Sequence, residues 1–75
     1  MKKSEAVALV DRMTPREREV FDALVDGRPA SNIAEALGIS RRTVQAHRSA
    51  ISRKLETSNL ADFARLAIRA GAASP

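Results

Sequence analysis

A three-residue turn, Gly38-Ile39-Ser40, separates two stretches of helical periodicity and strongly limits how this chain can fold. Ile33 and Leu37 lie before the turn, spaced as one face of a short helix. Gly38 can adopt the positive φ that ends a helix, and Ser40 can cap the helix that follows. The sequence therefore predicts a short helix, a tight turn and a longer helix in immediate succession.

The same kinds of signal divide the rest of the chain. Thr14-Pro15-Arg16-Glu17 has the form of a helix start, in which Thr14 is the cap and Glu17 can complete a capping box. Gly27 and Pro29 end that helix at about residue 26. The prediction is an all-α, four-helix domain over residues 14–71, with helices over 15–26, from 30 or 31 to 37, over 41–55 and from about 60 to just before Gly71. A leader or linker remnant over residues 1–13, which could form an extra helix, precedes the domain, and a tail over residues 72–75 follows it.

Length and composition exclude several classes of protein. A chain of 75 residues has little room for an enclosed active site, and it contains no cysteine and one histidine. No disulfide framework, metal site, cofactor site or catalytic residue is therefore predicted. No apolar run approaches the roughly 18–20 residues of a membrane span, and the absence of cysteine fits a reducing compartment such as the cytoplasm.

Positive charge is concentrated in the third predicted helix. Residues 1–29 carry six basic and six acidic side chains, whereas residues 30–75 carry seven basic and three acidic ones. The third helix contains no Asp or Glu, and its basic residues and histidine are Arg41, Arg42, His47, Arg48, Arg53 and Lys54. Such a basic helix favours a polyanionic partner, with nucleic acid as the first candidate.

The third helix also has two different faces. At about 100° per residue, Val44, Ile51 and Leu55 lie within ~20° of one another and form an inner face. The opposite face combines small residues with long polar ones, namely Arg42, Gln45, Ala46, Ser49 and Arg53. A short helix, a glycine-containing turn and a basic amphipathic helix together predict a helix-turn-helix, whose second helix enters the major groove of DNA.

Two features allow more than one interpretation. His47 lies about 60° from Val44, at the edge of the inner face, which is compatible with packing or with a DNA contact. On the fourth helix, Leu60 is predicted in the core, whereas Phe63, Leu66 and Ala70 either form a second apolar strip for a partner helix or belong to one broad core-facing stripe.

The sequence resembles a known family at a dozen positions spread over three helices. The matching residues are Thr14 to Val20, Gly27, Ile33-Ala34, Leu37, Ile39-Ser40, Thr43-Val44, His47 and Lys54-Leu55, and they resemble the DNA-binding domain of the LuxR family of bacterial transcription regulators. The run from Arg42 to Arg48 and the segment from Ser58 to Phe63 are most similar to the FixJ branch of two-component response regulators. The resemblance covers about residues 13–71.

The resemblance implies sequence-specific binding of double-stranded promoter DNA for transcription regulation. It implies base-reading roles for Gln45, Ala46 and Ser49, and phosphate contacts by Thr43 and Lys54. We add Arg42 as a base-reading candidate, because it could pair with guanine, and Ser40, Arg41 and Arg53 as phosphate candidates. The resemblance further implies a homodimer formed through the fourth helix, where Phe63, Leu66 and Ala70 are the candidate contacts, a contact with RNA polymerase and, in a longer chain, a receiver domain.

Two other functions could use a basic helix. One is promoter recognition as part of a sigma-like factor, or RNA binding, and the other is a protein-interaction module whose basic face meets an acidic partner. The two aromatic residues, Phe21 and Phe63, both lie on predicted core stripes, which speaks against the base stacking typical of single-strand or RNA binding.

Overall fold

The computed structural model describes residues 1–71 and folds them into five helices without a strand. The helices are α1 (Lys3–Val10), α2 (Pro15–Val25), α3 (Ala30–Leu37), α4 (Arg41–Leu55) and α5 (Leu60–Arg69). The predicted all-α class and the predicted bounds of α4 are confirmed. The predicted tail over residues 72–75 lies outside the described residues. None of the five helices is long and apolar enough to cross a lipid bilayer.

Side-chain caps define where three of the helices begin. At the start of α2, the Glu17 N–H donates to Thr14 Oγ1 over 3.1 Å while the Thr14 N–H donates to Glu17 Oε1 over 2.9 Å. This is the predicted capping box, which satisfies two backbone donors that the helix itself cannot pair. Ser40 and Asn59 cap α4 and α5 in the predicted positions.

One apolar core connects all five helices. Phe21 of α2 and Phe63 of α5 are fully buried, and their ring centroids lie 5.7 Å apart in a tilted arrangement. Ile33 of α3 and Ile51 of α4 are also fully buried in this core. Because α4 packs on both α2 and α3, the inner side of the helix-turn-helix is attached to the body of the domain.

The leader segment belongs to this core, although the sequence division placed it before the domain. Residues Lys3–Val10 form α1, which packs on α5 and α4, and Ala6, Val10 and Met13 are buried. A domain this small buries only about 60% of the surface of its unfolded chain, so a further helix adds needed apolar contact. The sequence of α1 gives only a weak signal of helical periodicity because its apolar residues are not confined to one side of the helix: Ala8 is exposed.

The structure corrects the prediction for α5. Leu60, predicted in the core, is 40% exposed at the first position of the helix. Phe63 and Leu66, predicted as partner contacts, are buried, and Ala70 packs against the core. On a helical wheel Leu60 lies about 60° from Phe63 and about 120° from Leu66, so the face that packs on α1 and α2 turns Leu60 outward. The broad core-facing stripe is therefore the correct alternative for Phe63, Leu66 and Ala70.

Burial predicts how α5 responds to truncation. We expect Leu66→Ala to lower the free energy of unfolding by about 2–5 kcal/mol, because a buried leucine leaves a cavity. Ile68→Ala, a matched control on the same helix at a site that is 47% exposed, should cost about 1 kcal/mol or less. Urea denaturation followed by circular dichroism measures both, and equal losses would contradict the assignment of Leu66 to the core.

Candidate nucleic-acid interface

The turn between α3 and α4 sets the direction in which α4 leaves the core. Gly38 has φ of 67°, and the Ile39 N–H donates to the Ala34 carbonyl over 3.0 Å, a pattern that closes the end of α3. A Cβ on Gly38 would meet no atom within 4 Å, so the positive φ, and not lack of space, is what favours glycine here. Ile39 packs against the core and leaves Ser40 exposed at the start of α4.

Ser40 and Thr43 organise the first turn of α4. The Thr43 N–H donates to Ser40 Oγ over 3.0 Å, and the two hydroxyl groups share a hydrogen bond of 2.8 Å. The amino end of a helix carries partial positive charge, which favours a nearby anion. Arg41 and Arg42 are exposed beside these hydroxyl groups. This end of α4 therefore combines neutral hydroxyl groups with the positive charge of two guanidinium groups and of the helix dipole.

The two faces of α4 lie where the sequence predicts them. Val44, Ile51 and Leu55 are buried, with exposed fractions of 1%, 0% and 3%. The opposite face is open to solvent along three turns, and each of its members is exposed: Arg42, Gln45, Ala46, Ser49 and Arg53. The structure thus brings together the predicted base-reading residues on one accessible surface, here called the outer face of α4.

The two arginines of the outer face and the neighbouring Arg41 are not neutralised by carboxylates of residues 1–71. The ion pairs found within residues 1–71 involve the cations Arg12, Arg16, Arg18, Lys54 and Arg65. Arg41, Arg42 and Arg53 take part in none of these pairs. Their charge therefore remains available to a polyanion.

Lys54 has a different environment from the arginines. Its Nζ donates to Glu17 Oε1 over 2.6 Å, and the Glu17 side chain is 9% exposed. The Lys54 ammonium, above all, lowers the pKa of Glu17 below the ordinary value of 4.5, assisted by the Thr14 backbone N–H and opposed by burial. The same carboxylate oxygen thus completes the capping box of α2 and binds the carboxyl end of α4.

Arg12 makes a second contact at this end of α4. Its Nη1 donates to the Lys54 carbonyl over 3.2 Å and lies 3.8 Å from Glu56 Oε2. The carbonyls in the last turn of a helix have no partner within the helix, so a cation here is favourable. Sequence patterns missed both contacts: Glu17 precedes Lys54 by 37 residues and Arg12 precedes it by 42, and helical periodicity reports only on near neighbours.

His47 is half-buried, as its position at the edge of the inner face predicts. Arg48, on the other edge of that face, is half-buried too. Within residues 1–71, no three His, Asp or Glu side chains lie close enough together to hold a metal ion.

A basic helix that follows a glycine turn and exposes a polar outer face defines a helix-turn-helix protein. Residues 11–67 match the family described as bacterial regulatory proteins, luxR family. The chain belongs to this family, and it is a LuxR-type DNA-binding domain of the kind found in transcriptional regulators.

Individual relatives agree with this assignment. The transcriptional regulatory protein FixJ of Bradyrhizobium diazoefficiens is 39% identical, over 92% of this chain and 36% of that protein. The transcriptional regulatory protein UhpA of Escherichia coli is 42% identical, over 73% of this chain and 28% of that protein. The crystal structure of full-length FixJ from B. japonicum superimposes with a TM-score of 0.86 and 33% identity, covering 96% of this chain and 36% of that one. The chain thus spans about a third of the length of these relatives.

The Glu17 contacts predict a specific response to acid. A carboxylate with a lowered pKa stabilises the folded state above the unfolded pKa of about 4.5, and this contribution is lost as the pH falls through the lower folded value. Glu17→Gln should therefore reduce the free energy of unfolding at about pH 6 and reduce it less at about pH 3. Urea denaturation of both proteins at the two pH values tests this, and a pH-independent difference would contradict it.

Proposed function

We propose that this domain binds double-stranded promoter DNA in a sequence-specific manner, with α4 in the major groove, as the effector domain of a two-component response regulator. The observation that carries the proposal is the outer face of α4, where exposed small and amide side chains lie between exposed arginines that no carboxylate of residues 1–71 neutralises. This face can approach base edges closely because Ala46 and Ser49 occupy its centre.

Each residue at the centre of the outer face has a chemical partner on a base edge. Gln45 can bind adenine through its amide, accepting from N6 and donating to N7. The Ala46 methyl group can contact a thymine methyl, and the Ser49 hydroxyl can donate or accept. Arg42, exposed at the amino end of the same face, can bind guanine O6 and N7 with its two-pronged guanidinium.

The flanks and ends of α4 supply candidates for phosphate contacts. Ser40 and Thr43 present hydroxyl groups at the amino end, Arg41 lies beside them, and Arg53 lies at the other end of the outer face. Contacts of this type set the register of the protein on the duplex without reading sequence. Lys54 differs from these residues because its ammonium is already bound to Glu17.

Exposed apolar residues of α5 support a homodimer on DNA. Leu60 and Ile68 are 40% and 47% exposed, and with the half-buried Ala64 between them they form a stripe at four-residue spacing. We assign the subunit contact to this Leu60–Ile68 stripe in place of the predicted contacts on Phe63, Leu66 and Ala70, which the core uses. Two copies would then occupy half-sites about 10 bp apart, on one side of the duplex.

The relatives support the response-regulator setting. Besides FixJ, they include the tetrathionate response regulatory protein TtrR of Salmonella typhimurium, 34% identical over 81% of this chain. This chain covers 30% of TtrR and 36% of FixJ, which leaves length in such proteins for a receiver domain. In that setting the domain acts in the cytoplasm, its dimerisation is controlled by the receiver, and it contacts RNA polymerase at the promoter.

Base reading by Gln45 is testable by substitution. Two duplexes are compared: one that the unaltered protein enriches from a random pool, and a scrambled one. Gln45→Ala should reduce the difference in binding free energy between them by about 1–3 kcal/mol. Arg53→Ala is the control, because loss of a phosphate contact weakens both duplexes nearly equally. Gel-shift titrations measure both ratios. An unchanged preference for Gln45→Ala would exclude Gln45 from base reading, and binding to single strands in preference to duplex would overturn the proposed function.

The proposed dimer stripe predicts a loss of cooperativity. Ile68→Glu should abolish cooperative occupancy of two half-sites about 10 bp apart while leaving affinity for one half-site unchanged, because a carboxylate would replace apolar contact between the copies. The control is Ala8→Glu, which places the same charge at an exposed position of α1. Cooperative binding that survives Ile68→Glu would locate the subunit contact elsewhere.

A further inference from the structure

The corner between α1 and α2 contacts Lys54 at two separate points. Glu17, in the first turn of α2, accepts from the Lys54 ammonium over 2.6 Å. Arg12, which follows α1, donates to the Lys54 backbone carbonyl over 3.2 Å. Both the side chain and the main chain of one residue near the carboxyl end of α4 are therefore bound by a segment that lies outside the helix-turn-helix.

We propose that Lys54 is a positioning residue for DNA binding, which fixes the carboxyl end of the recognition helix α4 on the α1–α2 corner, and that it is not a phosphate ligand. The inference deepens the proposed function and rests on it, since it concerns how α4 presents its outer face to DNA. It also reverses the role that the family resemblance implies for Lys54.

The burial of Glu17 favours this role. Its side chain is 9% exposed and Lys54 is its cationic partner, whereas the Lys54 side chain is 34% exposed. Transfer of the ammonium to a DNA phosphate would leave a buried carboxylate without its counter-charge, which is more costly than the loss of an exposed ion pair. Arg53, the adjacent residue, is exposed and forms no ion pair with a carboxylate of residues 1–71.

The direction of the side chain agrees with this difference. At about 100° per residue, Lys54 lies about 140° around α4 from Ser49, at the centre of the outer face, whereas Arg53 lies about 40° from Ser49. Lys54 therefore projects toward the flank that meets α2, where Glu17 lies. Arg53 projects toward the proposed DNA surface.

The backbone at the end of α4 explains why a fixed contact is useful here. Among the described residues, Glu56 is the non-glycine residue with a positive φ, which is 60°. This backbone conformation costs free energy for residues with a Cβ. The Glu56 carboxylate lies 3.8 Å from Arg12 Nη1, and the Arg12 guanidinium also binds the Lys54 carbonyl. Arg12 and Glu17 thus contact the last turn of α4 at two separate points.

Positioning both ends of α4 constrains the base-reading side chains between them. Ile39, which precedes α4, packs against the core and positions the amino end, and Lys54 lies nine residues beyond Gln45, about 14 Å along the helix axis. The buried Leu55 also holds this end in the core, but apolar contact is non-directional, so loss of the Lys54 contacts would let the helix shift. A displacement of about 1 Å is enough to impair a recognition site. Loss of the Lys54 contacts should therefore reduce sequence preference more than overall electrostatic attraction.

Neighbouring substitutions distinguish positioning from phosphate contact. Lys54→Gln and the matched control Arg53→Gln are titrated against a duplex that the unaltered protein enriches from a random pool, and against a scrambled duplex, at several salt concentrations. Arg53→Gln should reduce the slope of log affinity against log salt by about 0.9 and weaken both duplexes equally. We expect Lys54→Gln to leave this slope within about 0.3 of the unaltered value while lowering the preference for the enriched duplex about fivefold.

Glu17→Gln provides a second variant should Lys54→Gln fail to fold. A glutamine at this position can still complete the capping box with Thr14, but it carries no charge for Lys54. The proposal predicts a preference lowered about fivefold for Glu17→Gln, and a similar loss for the double variant Glu17→Gln with Lys54→Gln, because the two residues act as a unit.

Three results would overturn the proposed role of Lys54. The first is a slope of log affinity against log salt that falls by about 0.9 in Lys54→Gln. The second is a steeper slope, with tighter binding of both duplexes, in Glu17→Gln. The third is a double variant whose loss of preference is the product of the single losses, about 25-fold. Failure of the unaltered protein to bind duplex DNA is a separate result, which would overturn the proposed function and this role together.

Discussion

Burial of the apolar face of α4 is the constraint on which the rest of this interface depends. Val44 and Ile51 are 1% and 0% exposed, and they lie seven residues apart on one side of the helix. Rotation of α4 about its axis would bring these side chains into water, and each large apolar side chain exposed costs about 1.5–3 kcal/mol. The contacts that stabilise the domain therefore also determine that Gln45, Ala46 and Ser49 face outward.

Electrostatic contacts distinguish Lys54 from the exposed arginines of α4. Lys54 is bound to the Glu17 carboxylate, so its charge is largely cancelled within the domain. Arg41, Arg42 and Arg53 are exposed and unpaired with any carboxylate among residues 1–71, so their charge adds to the field that a polyanion would meet. The number of basic residues on a helix thus overstates the charge available for binding, because tertiary ion pairs neutralise part of it.

The position of α1 shows that the folded unit is larger than the helix-turn-helix. The family match begins at residue 11, after α1, yet Ala6 and Val10 are buried in the common core. In a domain this small, each buried side chain is a sizeable part of the total stability. Arg12, just after α1, contacts the Lys54 carbonyl, so the same segment that completes the core also meets the end of the recognition helix.

Local features of the sequence were sufficient for the approximate boundaries of α2 to α5 and for the two faces of α4, but not for α1. The Thr14–Glu17 capping box, the Ser40 cap and the Val44–Ile51 spacing act between residues close along the chain, so their physical basis can be read without a fold. Only the tertiary structure decided that Leu66 is buried and Leu60 exposed, because packing of α5 on α1 and α2 selects one among several apolar directions. It also decided the partner of Lys54, since Glu17 lies 37 positions earlier in the chain and approaches Lys54 only after the segment between them has folded into helices and turns.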